Sequence, residues 1–198
     1  MRKFYSWVQI TEVANSNLEG IEDIVIELKR CFIVQYKKKW LPAYCTGFEF
    51  WVNLFTNVSL CDIIRDGIVY EAVKRLVLKP LIKSLEKVAE YNKGMDFEDI
   101  SLEFDDVKIV IENLEGSKIG IVSMVFTELI KAVPFLKSKG IDNISEIYIP
   151  ANYSSNIDDK QVCNDCSNVK DSVFIWRVIY DFGCSELFFN AKEKIIYE

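Results

Sequence analysis

The chain has 198 residues, half of them hydrophobic and 13% aromatic, which is enough to bury one sizeable core and excludes disorder as a class. Its formal net charge of −6 argues against a dedicated nucleic-acid binder, because phosphate contacts come from clustered Lys and Arg on a basic domain. No histidine is present, which removes Ser-His-Asp and Cys-His catalysis, imidazole bases working near neutral pH, and every zinc site that needs a His ligand.

In chain order, the first nine residues are interrupted by polar side chains before an apolar run of signal-peptide length forms, so export is not expected. Ser16 followed by Glu19 has the capping-box spacing, and Leu18, Ile21, Ile24, Val25 and Leu28 then recur at helical period. That predicts a helix over 17–30, while the β-branched run Ile24, Val25, Ile26 supports a competing strand through 23–36. Pro42 and Gly47 bracket a turn, and from Phe48 to Phe55 the residues alternate with period two, as a strand requires. Ser59 or Asn57 can cap the next segment, a long amphipathic stretch to Asn92. Pro80 lacks a backbone donor, so this stretch either kinks there or restarts as a second helix with the proline near its beginning.

Gly94 ends that stretch. Beyond it the apolar parity is even at Ile100, Leu102 and Phe104 and odd at Val107, Ile109 and Ile111, so a turn or bulge is required at Asp105-Asp106. Ser117 is placed to cap a helix through Val133 that is apolar nearly all round, the expected central helix, closed by Gly140. Ile144 to Ile149 reads as a strand stopped by Pro150. Residues 151–171 are rich in Asn, Asp and Ser and form a polar loop or insert longer than ordinary connections. Val173 to Phe182 reads as a central strand, and after Gly183 two short strands follow, Glu186 to Phe189 and Glu193 to Tyr197.

Strands in sequential groups favour one α+β domain over 1–198, a mostly antiparallel sheet of about five to seven strands packed on two or three helices, one of them long and amphipathic. The most apolar windows carry charges, so no transmembrane segment is expected, and the six cysteines are read as free thiols of a cytoplasmic protein.

Phosphate-loop chemistry fails at Gly116-Ser117-Lys118, because the glycine that the Walker pattern places five residues earlier is Ile111. Ser123 lacks the flanking glycines of a nucleophile elbow. Cys163 and Cys166 have metal-knuckle spacing, but a closed site needs four ligands and no second such pair exists, so they are only weak metal or redox candidates and no cofactor is expected. The charge is uneven. Asp96, Glu98, Asp99, Glu103, Asp105, Asp106, Glu112 and Glu115 crowd the segment between Gly94 and Gly116 against Lys108 alone, whereas Lys74, Arg75, Lys79 and Lys83 face no acid between Ala72 and Lys83. Alternation turns Glu103 and Asp105 away from Leu102 and Phe104.

These features point to a non-enzymatic module that binds a basic protein through the acidic 94–116 face or the 151–171 loop, as an inhibitor or immunity-type protein would. The alternatives are an enzyme or ligand sensor using carboxylates or the Cys163/Cys166 pair, and a module docking on a membrane surface or assembly through helix 60–90.

Overall fold

Period-two rows from the whole length of the chain are drawn into one mixed sheet of nine strands. The computed structural model describes residues 6–13, 20–39, 50–92, 96–151 and 173–197. The strands are β1 (Ser6–Val13), β2 (Ile33–Lys39), β3 (Phe50–Thr56), β4 (Asp96–Glu103), β5 (Lys108–Glu115), β6 (Glu146–Pro150), β7 (Ile175–Tyr180), β8 (Ser185–Asn190) and β9 (Ile195–Tyr197). Their order is β2-β1-β3-β4-β5-β6-β7-β8-β9. The pairs β1–β2, β3–β4 and β5–β6 are parallel and the others antiparallel. Each parallel pair is joined by helix, as such a connection requires: α1 (Ile21–Leu28) links β1 to β2, α2 (Leu60–Arg65), α3 (Gly67–Val73) and α4 (Lys79–Tyr91) link β3 to β4, and α5 (Ile121–Ser138) links β5 to β6.

The sheet therefore has more strands than the expected five to seven. The two additional strands are β1 and β2, which flank the segment where helix and strand signals compete. The helix reading holds for 21–28, where α1 takes in the β-branched run Ile24 to Ile26 on which the strand reading rests, and the strand β2 starts only at Ile33. β7 is interior but lies two places from the β9 edge, not at the centre of the sheet.

One row of side chains crosses the sheet facing the core. Ile10 and Val8 of β1 stand beside Val52 and Leu54 of β3, these beside Ile100 and Leu102 of β4, and these beside Ile111 and Ile109 of β5. The row continues through Ile147 and Ile149 of β6 to Val178 and Trp176 of β7 and to Leu187 and Phe189 of β8. All are buried, and each such side chain contributes on the order of 2 kcal/mol.

α2 (Leu60–Arg65) is capped twice. The Ser59 hydroxyl accepts from the Asp62 N–H, and the Asp106 carboxylate accepts from the N–H groups of Leu60 and Cys61. A continuous helical run from Gly67 to Tyr91 follows, made of α3 (Gly67–Val73), a π turn over Lys74–Leu78, and α4 (Lys79–Tyr91). Pro80 lies in the first turn of α4, directly after the π turn, so the run lacks one backbone donor at that junction. The wide π turn resolves the alternatives of kink and restart: the run continues, and the proline begins a new regular segment.

α5 buries Val122, Val125, Phe126, Leu129, Ala132, Val133 and Leu136. Its start corrects an expectation, because Ser117 lies in a short 3₁₀ turn and bonds Glu115, while α5 begins after Gly120 without a side-chain cap. The end agrees with the pattern: Gly140 takes φ 82, and the N–H of Ile141 returns to the Leu136 carbonyl. Among the described residues no helix is long and apolar enough to cross a membrane. The Ser16 cap, the Pro42 to Gly47 turn, Gly94 and the polar segment with Cys163 and Cys166 lie outside the described residues.

Candidate functional site

The helices share one side of the sheet. Tyr70 of α3 stacks on Phe126 of α5, Phe135 of α5 stacks on Phe189 of β8, and Lys87 of α4 bonds Glu27 of α1. No described helix covers the other side; on this open face Thr11, Ser101 and Val110 are nevertheless buried, Gln9, Asn53, Asp99, Glu112 and Tyr148 are half-buried, and Gln35 and Phe188 are exposed.

Its central row runs from Gln35 of β2 through Gln9, Asn53 and Ser101 to Val110, Tyr148, Arg177 and Phe188 of β8. Ser101 donates to the Asn53 amide oxygen, and the Arg177 guanidinium lies 4.3 Å from the centre of the Tyr148 ring. Beside this row, over the middle strands, stand the acids. Asp99 of β4 lies directly opposite Glu112 of β5, and Glu103 lies opposite Lys108, which in turn faces Glu146 of β6. The β1–β3 side of the face is aromatic: Trp7 stacks on Phe55 with ring centres 3.8 Å apart, and Trp51 carries the Lys39 ammonium over its ring.

Of these acids, Asp99 and Glu112 are half-buried. Burial raises the pKa of Asp99, with Lys108 opposing, and burial followed by the charge of Asp99 raises that of Glu112, with Arg177 opposing. Tyr148 is pushed up to about 12, first by its hydrogen bond to Glu146 and then by burial. Two half-buried carboxylates directly opposite one another repel, and a cation arriving between them would relieve that repulsion.

The candidate acids are thus divided among different positions. Asp99 and Glu103 lie on the open face. Asp96 and Glu98 are exposed near the start of β4. Asp105 is exposed in the β4–β5 turn and not, as alternation had it, in the strand beside Glu103, because the turn begins at Phe104, whose N–H bonds the Val107 carbonyl. Asp106 is committed to the α2 amides. Glu112 and Glu146 join the face from β5 and β6, a neighbourhood that rests on register between strands and not on spacing along the chain. Among the described residues no group of three His, Cys, Asp or Glu side chains is placed to hold a metal ion. Comparison with known protein families, curated proteins and solved structures finds no match for this chain.

Proposed function

We propose that the chain acts as a single-domain protein-binding module that holds a basic partner on the open face of its sheet, in the manner of an inhibitor or immunity-type protein acting in the cytoplasm. The observation that supports this most is the grouping of Asp99, Glu103, Glu112 and Glu146 over three adjacent strands, on the face that no described helix covers, against Lys108 on those strands and Arg177 beside them. Asp96 and Glu98 extend the field at the start of β4. An acidic patch of this kind steers a basic protein and raises its association rate. The rings of Trp7, Phe55, Trp51 and Tyr148 beside it are of the types that dominate binding energy at interfaces.

The test is kinetic. A partner recovered on the immobilised protein is measured against the parent and against the Asp99→Lys, Glu103→Lys double variant at low salt. Association slows about tenfold or more on charge reversal, whereas Asp142→Lys, exposed beyond the end of α5, has little effect. If reversal leaves the association rate unchanged, the open face is not the docking surface.

A further inference from the structure

At one end of the sheet the β4–β5 turn, the start of α2, the last turn of α5, the segment entering β6 and the β7–β8 turn converge around a cavity of about 330 Å³. This is at the small end of the range for ligand sites. Leu60, Val107, Val133, Ile144 and Phe182 give it apolar walls. Lys137 supplies the cation: its ammonium donates to Cys61 Sγ at 2.9 Å, and among the described residues no carboxylate lies within ion-pair reach of it. Asp106, the acid in the lining, is already engaged with the two α2 amides and so does not fill that role.

An independent feature lies in the β7–β8 turn. Phe182 is 84% exposed and has φ 59, a backbone region that glycine or asparagine occupies more cheaply than a bulky aromatic. Turn geometry therefore does not call for a phenylalanine, yet its ring stands in water where the cavity opens. A ligand with an apolar body would cover that ring, and an anionic head would complete the ammonium.

We propose that this cavity binds a small monocarboxylate with an apolar body, the carboxylate on Lys137 and the body against Phe182, Val133 and Ile144. The site lies at the strand ends and its test needs no protein partner, so it stands apart from the protein-binding reading.

Cys61, inside the cavity, is a built-in reporter. The full chain is alkylated with iodoacetamide and each cysteine followed by peptide mass spectrometry, with octanoate as the probe. At about ten times its dissociation constant, octanoate slows Cys61 alkylation about tenfold, while Cys31 and Cys184, both exposed, react unchanged. Octanol, equally apolar but neutral, protects much less. Lys137→Met raises the octanoate concentration needed for half-protection about fivefold, and Val133→Trp, which fills the cavity, abolishes protection. Equal protection by octanol and octanoate, or octanoate protection of Cys61 no greater than that of Cys31 and Cys184, overturns the proposal; both readings use the unaltered protein.

Discussion

Asp99 and Glu112 carry the clearest consequence at the scale of single residues. Both are raised by burial, and Glu112 is raised further by its neighbour. A carboxyl whose folded pKa exceeds its unfolded value binds more protons folded than unfolded, so stability falls as pH rises through that interval and is recovered on acidification. Glu112→Gln removes one charge of the pair without changing its shape. It is expected to be more stable than the parent at pH 7 by about 0.5 kcal/mol, as measured by urea denaturation. The difference closes below about pH 4, where Glu112 itself is protonated. A variant no more stable at pH 7 would mean that the two carboxylates do not repel. The same substitution should weaken capture of a basic partner, because the charge that burdens the fold is the one offered for binding.

Among the elements, α5 holds a second local cost. Pro134 lies inside the helix and is exposed, so it removes the donor that would bond the Ile130 carbonyl without contributing a buried side chain. Pro134→Ala should therefore stabilise the protein by about 1–3 kcal/mol, visible as a higher melting temperature. An unchanged or lower one would mean that Pro134 sets the stacking of the adjacent Phe135 on Phe189. What the sequence makes legible follows the same local logic. β3 to β8 are visible because their inward rows are strictly apolar, and the turn at Asp105-Asp106 is forced by the change of parity between Phe104 and Val107. β2 is hard to see because it is an edge strand with only Val34 partly buried on a polar run. Half of the acidic face is legible in the same way, since alternation alone turns Glu103 outward. The other half is not. Glu112 is in the acidic segment by sequence, but its place opposite Asp99, like that of Glu146 opposite Lys108, comes only through pairing between strands, and Asp106 leaves the set because it caps a helix 46 positions earlier.

Across the whole molecule, an open sheet must protect two edges from pairing with other chains. β9 is three residues long, which limits that end by itself. β2 is seven residues long, with Ile33 70% exposed, and would be an inviting template were it not for Lys37, Lys38 and Lys39. Lys38 also reaches the buried Glu12 of β1 at 3.5 Å, and Glu12 accepts the Tyr36 hydroxyl as well, so these two residues tie the edge strand to its neighbour. That leaves Lys37 and Lys39, whose parity is that of the open face, as the charges, without a carboxylate partner among the described residues, that repel a second copy, Lys39 from over the Trp51 ring. Two β2 edges brought together by a two-fold axis would set like charges against like. Lys37→Thr with Lys39→Thr keeps the β-forming character and removes that repulsion. Sedimentation of this variant should depend on concentration more steeply than that of the parent, and its excess association should persist in high salt, because the new contact is backbone pairing and not charge attraction. If the two proteins sediment alike at every concentration, the lysines do not guard this edge.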